Sequence, residues 1–454
     1  MKDMLRIFVP SGMLGYGFPM EDFKRGIAMN PDYITVDSGS TDSGPQKLAL
    51  GSMTCPREAY VDELEIILSA AREGREKGIP LYISSAGGDG SAKHVDEFCE
   101  IVRALAVKHG WRLKIALIYA DIDKELVKKK LASGAVRPCG PAPEITNEEI
   151  DQATVIVAQM GVEPFLKVLE EHPDVDVIIS GRAYDPVPIA ALPIKLGFSR
   201  DLAWHMGKIL ECGGKCAVPT SRGIVAELYR DHFRLIPLGE DQRCTTYSVA
   251  AHTLYEKSHP YLLPGPGGTL DVSKASFVQE DERVVRVSGS KFVEEPYTIK
   301  LEGAKVCGCR SICVAGIRDP LLVAQIDDFL PRVEEQVRLL PAKVLEGSRT
   351  TFHVYGKNGV MGECEMNPDF VPQELCVIYE AMAPTQEAAT QICNRARVRM
   401  LHMHYEGRVG TSGNVGLPFT PLEIPLGAVA EFSIYHLMEI DDPVALFPIR
   451  YEEV

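Results

Sequence analysis

The first half of this 454-residue chain repeats one pattern: a short β-branched apolar run, a loop rich in Gly, Ser or Asp, and a segment with helical periodicity. The apolar runs predict strands at residues 6–9, 33–36, 81–84, 114–119, 154–158 and 175–179. The periodic segments predict helices at residues 57–77, 92–109, 124–133 and 164–171. Strands that alternate with helices of this length are typical of βαβ units. We therefore predict an α/β fold for the N-terminal part, with a mainly parallel sheet and flanking helices.

The second half has a different pattern, which predicts an α+β C-terminal part. Residues 185–211 read as helical, with early prolines marking turns or a kink. Strands are predicted at residues 223–227, 233–237, 245–252, 284–287, 297–301, 311–314, 350–355 and 428–440, and helices at 320–338 and 385–405. Because a single core stops growing at roughly 250–300 residues, we divide the chain into an α/β domain with strand-end ligand loops (1–270), an α+β segment that completes a second domain (271–345), and a C-terminal α+β module (346–454).

The charge balance limits the partners of the chain. There are 48 Lys and Arg residues against 63 Asp and Glu residues, giving a formal net charge of −15. Such a surface repels nucleic acid and anionic membranes, and no apolar run approaches the ~20 residues of a membrane-spanning helix. The first ten residues lack the long apolar region of a signal peptide, and the twelve cysteines are expected to be reduced thiols. We expect a cytoplasmic protein with no nucleic-acid or membrane partner, and a homo-oligomer by base rate.

Three loops that follow predicted strands carry the candidate binding residues. They span residues 36–44, 84–90 and 180–185. In open α/β sheets, ligands bind at the carboxyl ends of the strands. Accessible loop amides and an arginine fork suit phosphate or carboxylate, whereas the alternative is that these are ordinary turn and capping residues. The candidate substrate-binding residues are Ser38, Gly39, Ser85, Gly87, Gly88, Arg182 and Tyr184.

Four acidic residues are the candidate catalytic groups. They are Asp37, Asp89, Asp185 and Glu211, and Asp42 is a further candidate acid/base group or metal ligand. Carboxylates that share a semi-buried cleft have their pKa values driven apart, so that one stays ionised while another holds a proton. The alternative for each residue alone is a solvated surface position or a helix cap.

The cofactor alternatives stay open at this point. A divalent metal held by the acidic residues would polarise a substrate oxygen. Cys307, Cys309 and Cys313 would share one face of a strand, but zinc and iron–sulfur sites usually show other spacings. A nucleotide cofactor is not expected, because neither P-loop nor Rossmann glycine spacing is present.

Seven motifs are spread over nearly the whole chain. They are SSAGG at 84–88, SGRAYD at 180–185, MGKILECGG at 206–214, LPGPGG at 263–268, YGKNGVMG at 355–362, GRVGTSGN at 407–414 and EFSIYHL at 431–437. Together they resemble the acyclic terpene utilisation family typified by AtuA. The loop at 37–44 departs from the acidic segment of the terpene-type members. The tail resembles a small α+β module that accompanies such proteins, sometimes as a separate chain.

The resemblance implies bacterial catabolism of small branched or carboxylated compounds. With the acidic loops and Arg182, it leads us to expect an enzyme with lyase, hydratase or isomerase chemistry on a small anionic acid or an acyl-CoA. Arg182 would clamp a carboxylate, while two of the acidic residues would remove and donate protons. One alternative is a non-catalytic binding or scaffold subunit of an acyl-CoA catabolic complex. A weaker alternative is a metal- or cluster-dependent dehydratase that uses the three cysteines.

Overall fold

A computed structural model gives the structure of the chain at residues 2–41, 44–256 and 259–454. Its strands are β1 Leu5–Val9, β2 Tyr33–Asp37, β3 Leu81–Ser84, β4 Lys114–Ile118, β5 Val136–Pro138, β6 Val155–Gln159, β7 Val177–Ser180, β8 Ala217–Val218, β9 Ile224–Leu228, β10 Phe233–Pro237, β11 Arg243–Cys244, β12 Leu262–Gly265, β13 Gly268–Asp271, β14 Ser276–Gln279, β15 Val285–Ser288, β16 Lys291–Glu294, β17 Thr298–Ile317, β18 Arg349–Tyr355, β19 Leu375–Ala383, β20 Ile424–Glu439 and β21 Ile449–Glu453.

Its helices are α1 Met20–Ala28, α2 Gln46–Leu50, α3 Arg57–Arg72, α4 Ala92–His109, α5 Lys124–Ala132, α6 Asn147–Gln152, α7 Glu163–Glu171, α8 Val187–Lys195, α9 Arg200–Leu210, α10 Thr246–Thr253, α11 Pro320–Ala324, α12 Ile326–Val337, α13 Ala342–Leu345 and α14 Gln386–His402.

The chain forms two compact units. The first runs up to Lys305 and resumes at Phe432, and the second is Val306–Glu431. The chain leaves the first unit within β17 and re-enters it within β20. The domain boundaries expected after residues 270 and 345 fall inside the first and second unit, respectively.

The Pro- and Gly-rich region before residue 270 forms the antiparallel hairpin of β12 and β13, in which Leu263 pairs with Leu270.

The first unit is built on a ten-stranded sheet in the order β14-β15-β10-β9-β1-β2-β3-β7-β4-β21. Its central strands β1, β2, β3, β7 and β4 are parallel neighbours. The carboxyl ends of β2, β3 and β7 therefore lie side by side at one edge, and the three candidate loops begin there.

The sheet is mixed, which corrects the mainly parallel sheet expected from the sequence. On one flank β9, β10, β15 and β14 are antiparallel, and on the other β21 is antiparallel to β4. Strands β9 and β10 are joined by the tight turn at residues 229–232, where the Tyr229 amide donates to the His232 carbonyl at 2.8 Å. So short a connection can form a hairpin but not a parallel crossover.

Strand β6, expected in the parallel sheet, pairs elsewhere. It is antiparallel to the first part of β17, with Gln159 opposite Lys300. In the main sheet β7 lies between β3 and β4, so β6 cannot pair with β7 there. The backbone groups of β6 form their hydrogen bonds with β17 instead.

Successive side chains of the central strands point to opposite faces of the sheet and pack into two cores, one on each face. Ile7, Tyr33 and Tyr82 belong to the cluster that includes residues of α7, α8 and α9. Their neighbours Phe8 and Ile34 belong to the cluster that includes residues of α3 and α4. This covering of both faces explains why the central strands are almost entirely apolar.

The segment at residues 245–252, expected to be a strand, is helix α10. Thr245 forms a capping box, in which its hydroxyl accepts from the Ser248 amide at 3.0 Å and its own amide donates to the Ser248 hydroxyl at 3.0 Å. These two bonds satisfy amides that a helix start leaves without partners. The prediction was wrong because the β-branched residues Thr245, Thr246 and Val249 outweighed this local signal.

The second unit is an α+β module. The second part of β17 pairs antiparallel with β19, which pairs antiparallel with β18. Its core includes residues of α12 and α14, such as Phe329 and Ile392, together with Tyr379 of β19. Nothing helical in the described part of the chain has the length and apolarity needed to cross a bilayer.

The loops after β3 and β7 approach each other through their backbones. The Arg182 amide donates to the Gly90 carbonyl at 3.0 Å. Gly90 has φ +65°, and a Cβ there would lie 2.1 Å from the Arg182 nitrogen. Gly90 is therefore required both by its backbone conformation and by this contact.

Gly90→Ala is expected to lower the free energy of unfolding by about 3 kcal/mol, from left-handed strain plus overpacking. Gly110→Ala is the matched control, because Gly110 has φ +68° and no atom lies within 4 Å of the position its Cβ would take. Backbone strain alone should lower its free energy of unfolding by about 1 kcal/mol. Urea unfolding measures both. Equal losses would show that the close loop contact is absent.

Candidate functional site

The three candidate loops meet at the carboxyl edge of the central strands. The Ser84 hydroxyl at the end of β3 donates to Asp37 Oδ1 at the end of β2, at 2.8 Å. Arg182, after β7, donates to the Ser85 hydroxyl at 3.2 Å. Side chains from three neighbouring strand ends are thus joined by hydrogen bonds.

Arg182 is the centre of this arrangement and is fully buried. Its Nε donates to Glu302 at 2.9 Å and its Nη1 to Asp185 at 2.8 Å. Its Nη2 donates to the Ser40 hydroxyl at 3.3 Å. In this geometry the guanidinium binds protein carboxylates and holds Asp185 in place.

Glu302 of β17 is the buried counter-ion of Arg182. It also accepts from Thr41 at 2.7 Å, Lys300 at 2.9 Å and Gln159 at 3.1 Å. Burial alone would raise the pKa of Glu302, but the charges of Arg182 and Lys300 and these hydrogen bonds lower it to about 2. Glu302 is therefore ionised at any ordinary pH, and its oxygens are well supplied with donors.

A cavity of about 720 Å³ opens beside these loops, and three of the four predicted catalytic carboxylates line it. They are Asp37, Asp185 and Glu211. A second cavity, of about 640 Å³, shares Asp185, Glu211 and Glu256 with the first. Residues of the first cavity are Gly12, Met13, Tyr16, Asp37, Gly39, Ser40, Asp185, Glu211, Cys212, Lys215, Thr220, Ser221, Arg222, Tyr255 and Glu256.

The environment of Asp37 favours a protonated carboxyl group. Burial raises its pKa well above the usual range, and the nearby negative charges of Asp185 and Glu211 add to this. The charge of Arg182 and the hydrogen bond from Ser84 oppose the shift without cancelling it. Asp37 can therefore hold a proton at the wall of the cavity.

Glu211 lies at the carboxyl end of α9 and forms a buried ion pair with Lys208, one helical turn earlier. The neighbouring Cys212 also lines the first cavity. Burial and the charge of Glu211 raise the pKa of the Cys212 thiol to about 12. This cysteine is therefore a protonated thiol rather than a nucleophilic thiolate.

Asp89 is the one of the four predicted catalytic carboxylates that lines neither of these two cavities. It is fully buried, and its Oδ1 lies 2.6 Å from His94 Nδ1 and accepts from the Ser91 amide at 2.9 Å. Burial lowers the pKa of His94, but the hydrogen bond and charge of Asp89 outweigh it and raise the pKa overall. Asp89 therefore supports the start of α4.

The amino end of α4, which follows the second candidate loop, faces a carboxylate of the protein itself. The Ala92 amide donates to Asp121 Oδ2 at 2.6 Å. Burial raises the pKa of Asp121 to about 6. The favourable interaction between an anion and the start of a helix is thus supplied by Asp121 of the same chain.

The remaining predicted binding residues are distributed around the site. Gly39 lines the first cavity and Tyr184 the second. Ser38 is fully buried and lines neither of these two cavities. Side chains at Gly87 and Gly88 would overlap His94 and Thr54, respectively, so these glycines serve packing. Asp42 lies outside the described residues.

Among residues 2–41, 44–256 and 259–454, no three His, Cys, Asp or Glu side chains are arranged to hold a metal ion. Cys307, Cys309 and Cys313 do not form a ligand set. The Cys313 thiol is hydrogen-bonded to Cys393, and the Cys307 thiol donates to the Val429 carbonyl at 3.3 Å.

Sequence reasoning missed Glu302, Lys300 and Lys208. Lys300 and Glu302 are two residues apart on β17 and share one face of the strand. An alternating charged pattern ordinarily indicates a solvated face, and nothing local shows that a buried arginine lies opposite. The spacing of Lys208 and Glu211 on a helix was a detectable signal, since residues three apart are neighbours.

Asp37→Asn is expected to remove a pH-dependent loss of stability. A carboxyl group whose pKa is higher in the folded chain than in the unfolded chain makes folding less favourable as pH rises from its ordinary pKa of about 4 towards the raised value. The melting temperature should therefore fall more in the wild type than in the variant between about pH 5 and pH 8. The exposed Asp62→Asn is the control and should follow the wild type. Parallel profiles for wild type and Asp37→Asn would contradict the raised pKa.

Comparison with known proteins agrees with the motifs. The model of the family described as acyclic terpene utilisation family protein AtuA matches residues 5–229 and 236–421. Neither a curated protein nor a solved structure matches the chain. The family match spans most of the chain and both units, and it confirms the resemblance carried by the motifs. The chain belongs to the acyclic terpene utilisation family.

Proposed function

We propose that this chain is a catabolic enzyme that acts on a branched or carboxylated organic acid, or on its acyl-CoA thioester, by hydro-lyase or isomerase chemistry. The observation that carries the proposal is the pair of unlike carboxyl groups on one cavity wall. Asp37 is held in a setting that raises its pKa, while Asp185 is ion-paired with Arg182 at 2.8 Å. Two carboxyl groups in opposite protonation states are the components of general acid–base catalysis.

The roles follow from these environments. The Asp185 carboxylate removes a proton from the carbon next to the substrate carbonyl. The Asp37 carboxyl group donates its proton, either to a leaving hydroxyl, which departs as water, or to the far carbon of a shifting double bond. In both cases one proton is taken and one is given, so that solvent restores the two groups afterwards. Arg182 has a positioning role in this scheme and does not touch the substrate.

The charge distribution supports an anionic substrate. The charged groups beneath the cavity have partners of opposite charge: Lys208 pairs with Glu211, and Arg182 pairs with the buried Glu302 and the half-buried Asp185. The first cavity also has two exposed basic residues, Lys215 and Arg222, against one exposed acidic residue, Glu256, so its exposed charges are positive in sum. Cations at the rim of a cavity attract an anionic ligand and orient it.

Asp37→Asn and Asp185→Asn are each expected to lower turnover by about 10²–10⁴-fold, the usual contribution of a general acid or base. The measurement is deuterium uptake from solvent and water addition or loss, followed by mass spectrometry. The probes are branched unsaturated and hydroxylated acids and their coenzyme A thioesters. The exposed Asp62→Asn is the control. Unchanged turnover in both site variants would contradict the proposal, and an inactive wild type would favour the alternative of a non-catalytic binding subunit.

Lys215→Ala and Arg222→Ala are expected to raise KM about tenfold, with little change in kcat, because removing uniform binding affects KM alone. A larger effect on the thioester than on the free acid would identify the coenzyme A phosphates as the anion at the rim. Lys343→Ala, an exposed lysine of the second unit, is the control. Loss of kcat at constant KM would contradict a role in binding the anion.

A further inference from the structure

Glu302 is not among the residues that line the two cavities, yet its contact with Arg182 leads to the proposed base, Asp185. It is fully buried on β17, and the Arg182 Nε bonds to its Oε2 at 2.9 Å. From the same guanidinium, Nη1 reaches Asp185 at 2.8 Å. A guanidinium is planar and rigid, so a partner that fixes Nε also fixes the direction of Nη1.

The other contacts of Glu302 leave it little freedom. Thr41 and Arg182 donate to Oε2, and Gln159 and Lys300 approach Oε1. Lys300 in turn donates to the Tyr435 hydroxyl at 3.0 Å. With both oxygens engaged, the carboxylate cannot rotate without losing several hydrogen bonds at once.

We infer that Glu302 is a positioning residue, which fixes the Arg182 guanidinium and, through it, sets the place of Asp185 and the charge balance around Asp37. The inference rests on the proposed function for its catalytic meaning. The charged groups that act on Asp37 are Asp185, Arg182, Glu211 and Lys47. Of these groups, Arg182 donates a hydrogen bond directly to Glu302.

Removing the charge of Glu302 should lower the pH at which Asp37 loses its proton. In Glu302→Gln the shape is kept, but the positive charge of Arg182 loses its buried counter-ion. That charge then favours ionised Asp37 more strongly, and the proton on Asp37 is lost at lower pH. Activity that needs this proton should therefore decline at lower pH than in the wild type.

The test compares Glu302→Gln with Glu227→Gln. Glu227 is a buried glutamate of β9 that pairs with Arg6 and Arg234, so its variant reports the general effect of breaking a buried ion pair. For Glu302→Gln we expect kcat to fall at least about tenfold, with KM nearly constant. The alkaline limb of the pH profile should move down by about one pH unit. For Glu227→Gln, kcat and the position of the alkaline limb should both stay at the wild-type values. Equal behaviour of the two variants would overturn the inference.

Two further measurements test the inference if Glu302→Gln does not fold or if the wild type is inactive. If Glu302→Gln does not fold, Thr41→Val removes one donor to Glu302 without changing a charge, and it should lower kcat in the same way but less. If the wild type converts none of the probes, the proposed function fails, and a crystal structure of Glu302→Ala, in which Arg182 Nε loses its acceptor, still tests the inference. Arg182 should then have lost its 2.8 Å contact with Asp185. An unmoved guanidinium would overturn the positioning role.

Discussion

The buried ion pair between Arg182 and Glu302 is the interaction on which the site depends. Taking both charges out of water costs several kcal/mol per ion, and this cost is offset only when the geometry is good and the remaining polar atoms are bonded. Here the guanidinium bonds to Asp185 and to hydroxyl groups of two loops, while Glu302 has Lys300 and other donors. Three strand-end loops and β17 must all be in place for this pair to be satisfied.

The same pair separates the roles of two neighbouring carboxyl groups. Asp185 touches Arg182 directly and is held as its ion-pair partner. Asp37 is buried and lies in the field of Asp185, so its pKa rises even though the Ser84 hydroxyl donates a hydrogen bond to it. Unlike environments for two carboxyl groups on one cavity are what acid–base chemistry near neutral pH requires.

Much of this arrangement could be predicted from the sequence because it follows from local patterns. The central strands and α4 lie where the apolar runs and the periodicity place them, and the parallel order of β2, β3 and β7 brings their loops to one edge. The antiparallel flanks were not foreseen, because the direction of β9 and β10 depends on the tight turn between them. The capping box of Thr245 was a local signal that the β-branched residues concealed.

The pairing of Arg182 with Glu302 could not be predicted from sequence patterns. Glu302 lies 120 residues further along the chain, in a strand whose alternating charges resemble a solvated face. Asp89, another strand-end aspartate that the sequence predicts to be catalytic, lines neither of the two cavities and bonds to His94. Which carboxylate faces a cavity and which caps a helix is decided by long-range packing, not by the residues beside it.

The most direct test of this account is a carbon-13 NMR titration of the aspartate carboxyl groups, with the Asp37 signal assigned from its absence in Asp37→Asn. We predict that one carboxyl group, Asp37, keeps its proton well above the ordinary aspartate pKa of about 4. An Asp37 signal that titrates at or below that value would show a carboxylate ionised throughout the working range, and the division between proton donor and base would be contradicted.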